Sequence, residues 1–175
     1  MLLELLSHQN FADMKYGLDP AFRFTVSRAV YKGMLKYLSN RYGSRYAVQP
    51  LPVEHMGVRF NGDDRAVISW KACRDELEPT ADAEGFLYTR LDDGAFDQGQ
   101  IINAASETDG SYSYEVGIQP GHIYSFRIEA FNEGGKSFPS EVVAIGRPEN
   151  ANNKKVLIVN NFDRISGPAF IDTPS

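Results

Sequence analysis

Ile118-Gln119-Pro120-Gly121-His122-Ile123-Tyr124-Ser125-Phe126-Arg127-Ile128-Glu129-Ala130-Phe131-Asn132-Glu133-Gly134-Gly135-Lys136-Ser137-Phe138-Pro139-Ser140 holds an alternating apolar run between two turn sequences. Tyr124, Phe126, Ile128 and Ala130 occupy every second position, the period of a strand that buries one face. Pro120-Gly121 fits a type II turn, in which glycine takes positive φ at the second central position. Asn132 to Gly135 turns the chain again before a last strand, Glu141 to Ile145.

Upstream the same texture continues. Val53 to Phe60 leads into the turn Asn61-Gly62-Asp63-Asp64. Ala66 to Trp70 places Ala66, Ile68 and Trp70 on one face and Val67 and Ser69 on the other. Asp75 to Glu84 is polar, contains Pro79 and reads as a loop. Gly85 to Arg90 is a strand ended by Asp92-Asp93-Gly94, Gln100 to Ala104 is a weaker one, and Ser111 to Ile118 alternates. Seven short strands with turns between them and no helix predict a mainly β protein, a seven-stranded antiparallel sandwich over 50–148. The prolines of Val48-Gln49-Pro50-Leu51-Pro52 predict an extended linker or the approach to the first strand.

The flanks differ. Leu2 to Leu6 reads as a buried strand, and Ser7 to Leu18 as a loop. Asp19-Pro20 then starts a helix, with Asp as N-cap and Pro at the first helical position. Phe22, Val26, Val30, Met34 and Leu38, widened by Ala29 and Leu35, form its apolar face, and Gly43 supplies a left-handed cap. Arg28, Lys32 and Lys36 read as a solvated face rather than an anion-binding stripe. This strand-loop-helix segment spans 1–46. After a polar linker, Val156 to Asn160 is a continuous apolar run suited to a strand buried on both faces, opening a further segment over 154–175.

With 175 residues, 42% hydrophobic and 23% charged, the composition is that of an ordinary globular chain. The net charge of −5 disfavours non-specific binding to nucleic acid, which needs clustered Lys and Arg, and no nucleic-acid partner is expected. No apolar run is long enough to span a membrane. The N-terminus lacks the basic head, long apolar centre and cleavage site of a signal peptide. A single cysteine, Cys73, forms no intrachain disulfide and no cysteine zinc knuckle.

The run over 118–140 resembles the fibronectin type III family: a hydrophobic residue (Ile118), Pro120-Gly121, Tyr124, the alternation to Ala130, a polar loop with Asn132 and Gly134 or Gly135, then Ser137-Phe138-Pro139-Ser140. Trp70 matches the early tryptophan of that family, and Tyr88, within Phe86 to Arg90, matches the strand before its first sheet crossing. The resemblance covers roughly 50–148 and makes Trp70, Tyr88, Tyr124, Pro120 and Gly121 the structural core. The first segment resembles the C-terminal end of the zinc-dependent N-acetylmuramoyl-L-alanine amidases. There a buried strand ends in a catalytic glutamate, with asparagine six residues on, as Glu4 and Asn10 stand here. This resemblance implies Glu4 as a general acid/base beside a metal-bound water. It places the zinc ligands upstream, so zinc is expected only in a full-length amidase-like parent and no cofactor in this chain. Val156 to Arg164 resembles the start of the α/β domain that follows such a sandwich in modular bacterial proteins named xanthan lyase-like.

His8, His55 and His122 lie on different elements, and a zinc site needs three or four convergent ligands. Asp92, Asp93 and Asp97 with Gly94 and Gly99 lack the spacing of a calcium loop and read as an acidic turn. Ser69, Ser125 and Cys73 have no base placed beside them. Tyr112, Tyr114, Phe96 and Phe138 could stack on sugar if exposed together, but alternation puts Tyr112 and Tyr114 on the face of Val116 and Ile118, in the core.

The expectation is a non-catalytic spacer module of a secreted, periplasmic or cell-surface bacterial protein acting on cell wall or polysaccharide. Its expected partners are neighbouring domains of that parent, with polysaccharide or peptidoglycan and self-association through the apolar face of the Asp19–Tyr42 helix as further options. The alternatives are zinc amidase activity in the parent, and a carbohydrate- or protein-binding module.

Overall fold

The computed structural model describes residues 3–92, 94–106 and 109–150. The strand expected over Val156 to Asn160 and Asp93 of the acidic turn lie outside the described residues. The chain divides into two compact units that meet between Arg45 and Tyr46.

The first unit is helical. Residues 3–7 have no regular structure, against the expected strand. A strand needs a partner for its ladder, and none of the described strands pairs with it. The expected loop over Ser7 to Leu18 instead contains helix α1, Phe11–Leu18. Asn10 starts it: its side-chain oxygen accepts from the Ala12 N–H at 2.9 Å. The Ser7 N–H donates to Asp13 Oδ2 at 3.0 Å and ties the approach to the first turn. Helix α2, Pro20–Tyr42, begins and ends where the sequence places it. Asp19 Oδ1 accepts from the Ala21 N–H at 2.9 Å, and Gly43 closes the helix at φ 66°. Its exposed face differs from the expected one. Met34 and Leu38 are exposed, whereas Arg28 and Lys32, expected in solvent, are half-buried.

The second unit is the sandwich. Seven strands have three residues or more: β1 (Glu54–Phe60), β2 (Arg65–Lys71), β3 (Gly85–Asp92), β4 (Gln100–Ile102), β6 (Ser111–Gly117), β7 (Ile123–Asn132) and β9 (Val143–Gly146). They correspond to the seven expected strands. Two-residue strands β5 (Ala105–Ser106) and β8 (Gly135–Lys136) are added. One sheet has the order β1-β2-β6-β5. The other has the order β4-β3-β7, with β8 and β9 both pairing β7. Every pairing is antiparallel. Register puts Trp70 opposite Tyr112 and Tyr88 opposite Ile128, so the inward rows of both sheets meet.

One core results. It contains Ala66, Ile68 and Trp70 of β2, Phe86 and Tyr88 of β3, and Tyr124, Phe126, Ile128 and Ala130 of β7. Trp70 and Tyr124 are each 1% exposed and share this cluster. The Trp70 ring meets Phe86 edge-on at 5.2 Å and stacks on Tyr112 at 6.2 Å. Pro120 and Gly121 are exposed and belong to the corner rather than the core. Their role is geometric: Gly121 takes φ 85°, and the Gln119 N–H donates to the Tyr124 hydroxyl at 3.1 Å across the corner. The phenol thus has a backbone partner for its hydroxyl although the whole side chain is buried.

The segment after β8 shows why Ser137-Phe138-Pro139-Ser140 suits this place. Ser137 N–H donates to Ala130 O and Ser140 N–H to Ile128 O, each at 2.8 Å. The intervening stretch carries a proline with no N–H to offer. Hydroxyls accept where carbonyls would otherwise stand. Ser137 Oγ takes the Ala130 N–H at 3.0 Å and Ser140 Oγ the Ile128 N–H at 2.9 Å. The β7 donors are satisfied without a regular strand beside them.

Tyr88 lies against Tyr114 and Phe126, with ring centroids at 5.4 and 5.7 Å. Burial pushes its phenol up to about 12, with Arg90 pulling the other way. An unfolded tyrosine titrates near 10. Stability is therefore intact below about pH 10 and falls as pH rises towards about 12, where the unfolded chain alone releases this proton. Urea midpoints measured across that window are expected to fall less steeply in Tyr88→Phe than in the parent. Identical slopes would refute the assignment.

Candidate functional site

Both ends of the sandwich are tied by side-chain hydrogen bonds. At one end the approach over 46–53 has no regular structure, as Pro50 and Pro52 dictate. It is not a free linker, however: Val48, Pro50, Leu51 and Val53 are buried. Asn132, the last residue of β7, holds it. Its Nδ2 donates to the carbonyls of Val48 and Thr80, both at 2.8 Å, with Asp82 O at 3.2 Å. Its Oδ1 accepts from the Gly134 N–H at 2.8 Å. A β-carbon on residue 134 would stand 2.6 Å from Ala47 O and from the Val48 carbonyl carbon. Glycine is required there by the closeness of the approaching backbone. Glu78, buried in the expected polar loop, adds a second clasp. Tyr46 OH donates to its Oε2 and Thr80 Oγ1 to its Oε1, each at 2.7 Å. Thr80 Oγ1 in turn accepts from the Val48 N–H at 3.2 Å. The sequence marks 132–135 only as a turn. The overlooked signal is an asparagine closing a strand with glycine two residues on.

At the other end the chain leaves through Arg147. Its Nη1 donates to Asp63 Oδ1 at 2.6 Å and its Nη2 to Gly62 O at 2.9 Å, while the guanidinium lies 5.2 Å from the Phe60 ring centroid. That hydrogen bond and charge hold the Asp63 carboxyl below the usual carboxylate range. Arg147 O accepts from the Gly121 N–H at 2.7 Å. A β-carbon on Gly121 would meet Glu149 Cγ at 2.8 Å, so the departing chain is seated on the Pro120-Gly121 corner. Arg90 pins the same end, with Nη1 3.4 Å from Gly117 O and its guanidinium 4.2 Å from the Tyr124 ring centroid.

The clasps sit at the two ends of one strand. Asn132 ends β7, and Gly121 lies just before its start. Ten residues of strand span about 30 Å. The chain therefore joins the sandwich at one pole and leaves at the other, with both junctions fixed by side chains.

The remaining sequence candidates separate. Glu4 and His8 are exposed, Glu4 in an irregular segment, and Asn10 is engaged as the α1 cap. His55 sits in a β-bulge with φ 54°, its Nδ1 3.5 Å from Glu54 Oε1. His122 stacks on Tyr124 at 6.1 Å. Among the described residues no three His, Cys, Asp or Glu side chains converge as metal ligands. Asp97 fastens its own loop: Oδ1 accepts from Arg90 N–H at 3.2 Å and Gly99 N–H at 2.8 Å. The four aromatics form no joint platform. Tyr112 and Tyr114 pack on the core, Phe96 lies under the Arg127 guanidinium at 4.4 Å, and Phe138 is exposed. Ser125 is half-buried on β7 and Cys73 is a half-buried thiol. Ser69 lines a shallow, open groove at the bulge, with His55, Lys71, Asp109, Ser111 and Tyr112. In it Lys71 Nζ lies 3.5 Å from Asp109 Oδ2. Ser111 donates to Asp109 Oδ1 at 2.6 Å, and this bond, helped by Lys71, lowers the Asp109 carboxyl below its ordinary range.

No protein-family model matches the chain, and no curated protein matches it. Among solved structures it is similar to the chicken CNTN1 FN1-FN3 domains, at 17% identity and TM-score 0.46 over 61% of this chain and 34% of that one. It is similar to the 6th fibronectin type III domain of human fibronectin type III domain containing protein 3, at 20% identity and TM-score 0.44, over 63% and 96%. A C. elegans twitchin kinase region matches at 21% identity and TM-score 0.41, over 61% and 18%. The order and pairing of the strands carry the fold; these likenesses are too distant to add to it.

Replacing Asn132 with alanine leaves the buried Val48 carbonyl and the part-buried carbonyls of Thr80 and Asp82 without this donor and is expected to cost about 1–3 kcal/mol. Gly134→Ala is expected to destabilise through backbone displacement, and Phe138→Ala to be nearly neutral. Urea unfolding of the three variants checks the ranking.

Proposed function

We propose that residues 46–150 form a fibronectin type III-like spacer, a rigid, non-catalytic module that sets the distance between the parts of a larger protein. The observation that carries this reading is the pair of side-chain clasps at opposite ends of β7. A flexible linker gives a broad distance distribution; a body clasped at both poles gives one length of about 30 Å. Exposed apolar side chains on the helical unit, among them Phe11, Leu18, Met34 and Tyr42, support a neighbouring domain or a second copy as its partner. The parent we propose is a secreted, periplasmic or cell-surface bacterial protein of the amidase-like or xanthan lyase-like kind, acting on peptidoglycan or polysaccharide. The resemblance around Glu4 supports a zinc amidase parent, and that of Val156 to Arg164 a following α/β domain. No helix among the described residues is long and apolar enough to cross a membrane.

The groove at the His55 bulge favours a second reading, a carbohydrate- or protein-binding module, because its hydroxyls, ammonium and carboxylate offer both donors and acceptors.

Spin labels at Gln49 and Pro148, in a Cys73→Ser background, are expected to give one narrow distance distribution. A broad one would sink the spacer reading. Co-sedimentation with peptidoglycan and with acidic polysaccharide is expected to show neither saturable retention nor product release. Retention lost on Lys71→Ala would establish the second reading instead, and release of peptide with added zinc would establish a hydrolase.

A further inference from the structure

Asn61-Gly62 joins β1 to β2, and we infer that it is a site of spontaneous deamidation whose product loosens the exit of the chain from the sandwich. The inference rests on this hairpin alone and not on the spacer reading.

Deamidation at asparagine begins when the next residue's backbone nitrogen attacks the side-chain carbonyl. The N–Cγ bond forms and the Cγ–Nδ2 bond breaks. The Gly62 nitrogen loses its proton to solvent base, and ammonia leaves with a proton taken from water. Water then opens the five-membered imide at either carbonyl, giving aspartate or isoaspartate. No oxidant or reductant takes part.

Three features of this hairpin favour the reaction. Residue 62 is glycine, so no β-carbon shields the attacking nitrogen. Its φ is 73°, and no atom lies within 4 Å of where a side chain would be. Among the described residues no hydrogen bond holds the Gly62 N–H, whereas the neighbouring Asn61 N–H is committed to Arg65 O at 2.9 Å. Asn61 and Gly62 are both exposed to the water that must open the ring. Asn132, by contrast, is buried and bonded at both side-chain atoms, and Asn10 is held as a helix cap. One bond opposes the reaction: Asn61 Nδ2 donates to Glu115, so the folded hairpin reacts more slowly than a free peptide of the same sequence.

The product changes the local electrostatics. A donor to Glu115 becomes a carboxylate facing it, and Arg65, already bonded to Glu115, is left to serve two anions. Isoaspartate also lengthens the backbone just before Gly62, whose carbonyl accepts from Arg147. Both changes act on the Arg147 clasp.

The test uses the full chain, aged in warm, mildly alkaline buffer and digested with trypsin. The peptide 60–65 is expected to acquire the acid form several-fold faster than the peptides bearing Asn103 and Asn132. Urea-unfolded chain is expected to convert faster still. Asn61→Asp is expected to lower the urea midpoint, and adding Arg147→Ala to it to lower the midpoint further by less than Arg147→Ala does alone. The inference is overturned if Asn61 converts no faster than Asn103, or if Asn61→Asp unfolds at the parental midpoint or is additive with Arg147→Ala.

Discussion

Strand β7 has to be a good neighbour on three sides, and most of the sandwich is arranged around that demand. Its inward row, Tyr124, Phe126, Ile128 and Ala130, fills the space between the sheets. One edge pairs β3 along its length, and the other meets β8, two serine hydroxyls and β9 in turn. A buried backbone donor without an acceptor costs about as much as a lost hydrogen bond. The broken edge of β8 and β9 is therefore tolerable only because Ser137 and Ser140 fill the break. Both poles of the module also depend on this strand, one through Asn132 and the other through the corner that starts it.

The strands were legible because burial of a sheet face imposes a period of two. Ala66, Ile68 and Trp70 point inward and Val67 and Ser69 outward, as their alternation requires. Helix α2 was legible from its ends, Asp19-Pro20 and Gly43, because capping is local chemistry. The N-terminal leucines misled, since an apolar run is equally compatible with a strand and with an irregular segment, and the choice depends on a partner strand that sequence does not display. Asn10 was an available helix signal for α1. The polar texture of the residues around it hides that signal.

The site was much less legible. The side chains that matter at the two poles bond to backbone from distant parts of the chain. Asn132 reaches Val48 and Thr80, and Arg147 reaches Gly62 and Asp63. Such bonds leave no periodic trace. Gly134 looked like an ordinary turn glycine, yet its lack of a side chain serves the passage of residues 47–49 rather than a special backbone angle. Histidines and acids, which attract attention as chemistry, here serve a bulge, a stacking contact and the fastening of a loop.

Pro139 has a consequence of another kind. An outer strand with free N–H and C=O groups is a template on which a second polypeptide can pair and so begin sheet-to-sheet aggregation. Between Ser137 and Ser140 the border of the second sheet offers a ring nitrogen without hydrogen, and its two serines turn their own N–H groups and hydroxyls inward to β7. A second polypeptide finds no continuous ladder of donors between Ser137 and Ser140, so the same four residues that complete β7 also leave little for an added strand to pair with.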